Sequence, residues 1–136
     1  MPKIKLLNKS RPLLLAVCAF YSSLVLADDL DAQSYIAIDL QARQLTLDGV
    51  HARLNLLRQQ ADMDSQLAQD HETRQMIEAI YAAYGTSVSQ AVAWAGRNRE
   101  AIGDWLSDHP EQQAEYDRLA RELDSLSLQL QALTNQ

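Results

Sequence analysis

The stretch Ile36-Ala37-Ile38-Asp39-Leu40-Gln41-Ala42-Arg43-Gln44-Leu45-Thr46-Leu47-Asp48-Gly49-Val50, continuing through His51 to Ala61, decides the fold of this 136-residue chain. Ile36, Leu40, Leu47, Val50, Leu54, Leu57 and Ala61 recur at alternating steps of four and three, with Arg43 as the one polar entry. That is the 3.5-residue period of a helix packed lengthwise on another. A second line, Ile38, Ala42, Leu45, Gly49, Ala52 and Leu56, has the same steps and lies on roughly the opposite side. One apolar stripe seats a surface helix; a helix with two must be covered twice. The covering is either the rest of one small bundle, with this helix at its centre, or a second subunit or protein partner. Gly49 gives the second line a place where another backbone can come close. Leu45-Thr46-Leu47-Asp48-Gly49 also fits a short strand ending in an Asp-Gly turn. The heptad phase runs unbroken from Leu40 through Leu47 to Leu54, however, so helix is the reading carried forward.

Working outward toward the C-terminus, Tyr116, Leu119, Leu123, Leu126, Leu130 and Leu133 form another seam with the same period. Asp108 as N-cap, Pro110 in the first turn and Glu111 three residues past Asp108 mark where this helix starts. Its seam predicts coiled-coil-like packing against Ile36–Ala61. Arg53 and Arg58 edge one seam and Glu115 and Glu122 the other, so the edges are complementary. Arg43, inside the seam, then needs an acid or a path to solvent, because an unpaired buried charge is costly.

Between these helices, Ser65 to Tyr84 reads as a helix with Leu67, His71, Met76, Ile77, Ile80, Tyr81 and Tyr84 on its apolar side and Gly85 as a left-handed stop. Thr86 or Ser87 caps a further segment in which Val88, Val92, Ala95, Ile102 and Leu106 share a face. If that segment is continuous, Trp94 and Trp105 lie together on one flank and Gly96 and Gly103 on the other. A break at Arg97-Asn98 fits equally well, with Asn98 capping a second short helix.

Toward the N-terminus, Lys3, Lys5, Lys9 and Arg11 precede an apolar run from Leu13 to Ala27 that ends Val25-Leu26-Ala27. This is the layout of a cleaved secretory signal peptide. At about 1.5 Å per residue the run falls short of the roughly 30 Å hydrocarbon layer; an uncleaved inner-membrane anchor is the alternative. The expected organisation is a signal peptide over residues 1–27 and one helical domain over 28–136, periplasmic or secreted. Cleavage leaves 8 of the 12 basic residues and all 18 acids, moving the formal net charge from −6 to −10. A domain so acidic repels phosphate backbones and anionic bilayers, which argues against nucleic acid or a membrane as its partner. The single cysteine, Cys18, leaves with the signal, so neither a disulfide nor a thiol nucleophile is expected in the mature chain.

Catalytic chemistry finds no support in the spacing. His51, His71 and His109 are far apart and stand in no metal-binding pattern, and Asp70-His71-Glu72 points its side chains in different directions on a helix. No Gly-x-Ser-x-Gly turn or glycine-rich phosphate loop occurs. No enzyme activity, no cofactor and no metal are therefore expected. The expectation is an all-α exported protein with a non-catalytic protein-binding or self-association role. Its partner surface is assigned to Ile38, Ala42, Leu45, Gly49, Ala52 and Leu56, with Trp94 and Trp105 next. On that reading, Leu45→Glu with Leu56→Glu abolishes association and spares the fold. Two other readings remain open. One is a periplasmic chaperone or envelope-stress sensor of helical type, although the repeated Leu-Thr-x-x-Gln motif of such proteins is absent: Leu45-Thr46-Leu47-Asp48-Gly49 departs from it at the last position. The other is a metal-binding periplasmic protein.

Overall fold

The computed structural model describes residues 30–135; the signal peptide and Cys18 lie outside the described residues. The described chain is all-α. It comprises α1 (Ala32–Arg58), α2 (Met63–Ala83), α3 (Val88–Arg97), α4 (Arg99–Asp108) and α5 (Pro110–Thr134), with no strand among the described residues. Asp48 and Gly49 lie inside α1, and the heptad phase, not the Asp-Gly turn, governs this stretch. Side-chain caps fix three of the starts. Asp31 Oδ1 accepts from the Ser34 amide at 2.7 Å, Asp62 Oδ1 from the Ser65 amide at 2.8 Å, and Ser87 Oγ from the Gln90 amide at 3.2 Å.

The Ser65 hydrogen bonds hold the Asp62 carboxyl below its ordinary pKa. A depressed folded-state pKa stabilises the fold above the unfolded value and loses that contribution as pH falls through the folded one. Asp62→Ala should therefore lower the thermal midpoint at neutral pH and narrow its difference from wild type in acid, below a pH of about 4. Parallel melts of the two proteins from pH 7 downward check this.

Cross-helix pairs give the directions of the long helices. Between α1 and α2, Gln41 meets Tyr84, Gly49 meets Thr73, and Arg53 meets Asp70. One number rises as the other falls, so the two helices are antiparallel. Between α1 and α5, Tyr116 donates to Asp39, Arg118 to Gln44 and Arg58 to Gln129, each at 2.8 Å. Here the numbers rise together, so α5 runs parallel to α1. The two short helices α3 and α4 make this possible, returning the chain across the N-terminal half of α1 so that α5 starts beside it.

The two apolar lines of α1 are both used within the chain. Leu47 and Leu54 pack with Leu119 and Leu126 of α5, flanked by Leu40, Val50, Leu123, Leu130 and Leu133. On the other side, Ile38 and Ala42 pack with Leu30, Tyr81 and Ala91, with Ile77, Ile80, Tyr84 and Trp94 around them. At Gly49, α2 comes so close that an added Cβ would lie 2.5 Å from Thr73 Oγ1. α2 and α5 thus occupy opposite flanks of α1 and form no packed pair with each other. The three long helices make a row with α1 in the middle.

Several local expectations are corrected. α2 does not bury Leu67, His71 and Met76: Leu67 is 57% and Met76 40% exposed, and His71 is exposed. Its inward line is Gln66, Asp70, Thr73, Ile77 and Tyr84, with Tyr81 fully packed. The first half of that line is polar because α1 offers it an ion pair, Arg53 Nη1 to Asp70 Oδ2 at 2.9 Å, and a loop carbonyl, Ala61 O, for the Gln66 amide. The Asp108–Glu111 cap does not form, because α4 extends through Asp108. His109 takes the cap position with no side-chain cap bond, while Pro110 sits in the first turn. The expected charged edges do not pair across α1 and α5 either. Arg53 goes to α2, and Arg118 gathers both Glu115 and Glu122 within α5.

Candidate functional site

With α2 and α5 on opposite flanks, a third line of α1 lies between them: Tyr35, Asp39, Arg43, Thr46, Val50 and Arg53, again at steps of four and three. Residues spaced this way share one side of a helix, and this side opens into two recesses. The first, about 530 Å³, has Tyr35, Asp39 and Arg43 on its floor. Its walls are Val92, Ala95 and Gly96 of α3; Arg99, Ile102 and Leu106 of α4; and Gln113 and Tyr116 of α5. The second, about 340 Å³, has Thr46, Gly49, Val50 and Arg53 of α1 on its floor, between Asp70, Thr73, Arg74 and Ile77 of α2 and Leu130 of α5.

A polar knot anchors the first recess. Arg43 Nε donates to Asp39 Oδ2 at 2.8 Å, Tyr116 Oη donates to the same oxygen at 2.8 Å, and the Arg43 guanidinium lies over the Tyr116 ring, 5.1 Å from its centroid. Arg43 thus has both an acid and a solvent path; its side chain is 50% exposed while that of Asp39 is 15%. Burial and then the Asp39 charge push the Tyr116 phenol far above its ordinary pKa, so it remains a donor. The same two causes raise Tyr35 and Tyr81. Burial opposes the charge on Arg43, but the hydrogen bond and charge of Asp39 outweigh it and hold the guanidinium above its ordinary pKa.

The residues singled out from sequence are placed as follows. Ile38, Ala42 and Gly49 are buried under the chain's own α2 and α3 region, and Leu45, Ala52 and Leu56 are half-buried on the same side. That line packs within the chain, and of its members Gly49 also borders the second recess. Trp94 and Trp105 do not share a platform, because the helix breaks at Asn98, whose side chain donates to the Trp94 carbonyl at 2.7 Å. Trp94 tilts against Tyr35 with ring centroids 5.6 Å apart. Trp105 stacks on His109 at 3.6 Å, and His109 Nδ1 lies 2.7 Å from the Trp105 carbonyl. Among the described residues no three His, Cys, Asp or Glu side chains gather as metal ligands; Asp70 turns to Arg53, while His71 and Glu72 are exposed.

Sequence reasoning missed Tyr35, Asp39 and Arg99 as site residues. The available signal was Arg43, the single polar entry in an otherwise apolar seam, with Asp39 one turn before it. No described helix is long and apolar enough to cross a membrane. No family model matches the chain, and comparison with curated proteins and with solved structures gives no match.

Proposed function

We propose that this is an exported, non-catalytic binding protein of the cell envelope, delivered by residues 1–27 as a signal peptide and acting through the open side of its helix row. The basic start followed by a short apolar run supports export. The observation that carries binding is the later part of the third line of α1, Thr46, Val50 and Arg53, which floors a recess walled by Thr73, Arg74, Ile77 and Leu130. The groove sets the apolar Val50, Ile77 and Leu130 among Arg53, Asp70, Arg74 and two threonines, a mixed surface between helices that suits an amphipathic helical segment of a protein partner. The α1–α5 seam, coiled-coil-like in its period, acts as the stiff spine of this arrangement. The assignment moves the partner surface from the second apolar line of α1 to the third.

The test is light scattering and cross-linking of the purified protein, followed by capture from cell envelope extracts with and without Thr46→Gln plus Arg74→Glu. Thr46 is half-buried on the groove floor and Arg74 exposed on its wall, so the pair fills the floor and reverses the wall charge. The expected result is a specific partner, or a higher mass, that is lost in the variant while its helix content and melting are retained. Association that survives the variant refutes the groove. A protein that associates with nothing refutes the reading as a whole.

A further inference from the structure

The cleft floored by Tyr35, Asp39 and Arg43 has a composition that the partner groove lacks. Its walls are aliphatic, chiefly Val92, Ile102 and Leu106, and Val92 is 62% exposed although it is a large apolar side chain. Its charged lining residues are Asp39, Arg43 and Arg99. Asp39 is offset by Arg43 at 2.8 Å and accepts a hydrogen bond from the Tyr116 hydroxyl, and Arg99 enters no ion pair among the described residues. The cleft therefore carries a net positive charge inside a chain of formal net charge −6. Its volume of about 530 Å³ lies within the range of small-molecule sites. The lining residues all lie in helices, whose interior amides and carbonyls are committed to one another, so recognition rests mainly on side chains. That disfavours an extended peptide, which needs main-chain partners.

Gly96 gives a way to test the cleft. It lies on the cleft wall inside α3, and a Cβ built on it would meet nothing within 4 Å. No close helix contact requires a glycine there, and glycine weakens a helix relative to alanine. A Cβ there would enter open space, as it would at Gly103 of α4, so Gly96 is a position on the cleft wall that can be substituted without a clash at Cβ.

We infer that this cleft binds a small amphipathic anion, a monocarboxylate with an aliphatic tail, the carboxylate meeting Arg99 and the exposed edge of Arg43 and the tail lying on Val92, Ile102 and Leu106. The inference goes beyond the protein-binding reading and uses different residues, so either can fail while the other stands. The probes are octanoate, 1-octanol and octyltrimethylammonium, titrated calorimetrically into the purified protein. Octanoate is expected to bind about tenfold tighter than octanol, with the cation weakest. Arg99→Gln should erase the preference for octanoate over octanol while leaving tail binding. Gly96→Leu fills the cleft and should abolish binding of all three with a thermal midpoint no lower than wild type. Gly96→Ala, which strengthens the helix without filling the space, should still bind. Equal affinity for octanoate and octanol overturns the anion assignment. Binding unaffected by Gly96→Leu, or no heat from any probe, overturns the site.

Discussion

Gly49→Leu is expected to destabilise the fold by about 3 kcal/mol or more, a large share of the roughly 5–15 kcal/mol that holds a domain of this size together. In an exposed helix interior, replacing glycine would instead gain about 1 kcal/mol. The sign reverses because of Thr73. A Cβ on Gly49 would sit 2.5 Å from Thr73 Oγ1, 2.6 Å from its Cγ2 and 3.1 Å from its Cβ. The Thr73 hydroxyl is held by a hydrogen bond to the Gln69 carbonyl at 3.1 Å, and its branched Cβ is fixed directly to the α2 backbone, so the side chain cannot swing clear. Gly49→Ala should show the same sign at about 1–3 kcal/mol, and Thr73→Ala should recover much of that loss in the double variant. Urea melts of the four proteins measure it. Gly49→Ala melting above wild type would mean that α2 does not approach α1 at this turn. The same packing sets the expected result of Leu45→Glu with Leu56→Glu: both side chains are half-buried on the α2 side, so the pair lowers stability rather than merely separating subunits.

The long helices were legible because their seams repeat. The periods in Ile36–Ala61 and Tyr116–Leu133 survive as packing between α1 and α5, and the small residue in the second line, Gly49, marks where α2 touches. The cover of the first line by the C-terminal helix was legible from their shared period; what could not be read was whether the second line is covered by the same chain or another, because an apolar stripe looks the same in either case. The inward face of α2 was misread for a different reason. Leu67 and Met76 are apolar by composition, but α1 presents Arg53 and the Gly49 contact to that half of α2, and an ion pair with Asp70 and a close Thr73 fit there better than bulk. Of the two readings of residues 87–106, the break at Arg97-Asn98 holds. Asn98 ends α3 with its side chain on the Trp94 carbonyl, which turns α4 and sends Trp105 to His109 instead. The cleft was invisible as a site because its residues come from α1, α3, α4 and α5, and only α5 running parallel to α1 brings Tyr116 to Asp39.

Leu54→Ala should cost about 2–5 kcal/mol, and the row architecture predicts where that loss is felt first. Leu54 is 1% exposed and packs with Leu47, Leu119 and Leu126. α5 rests on α1 and α4 and forms no packed pair with α2. In a closed three-helix bundle each helix is held by two long neighbours, and a cavity at one interface weakens all of them together. In this row, weakening the Leu54 interface removes the main support of α5, while Ile38, Ala42, Tyr81 and Ala91 still bind α1 to α2 and α3. Local opening follows the few contacts that hold an element. Hydrogen exchange on Leu54→Ala should therefore show amides of Leu119–Leu130 losing protection before those around Ile38 and Tyr81. Ile38→Ala, at a side chain that is 0% exposed, should give the reverse order. Uniform loss of protection in both variants would mean that α2 and α5 are coupled directly. That coupling needs them in contact, which would close the groove over Thr46 and Val50 and remove the surface on which the binding reading rests.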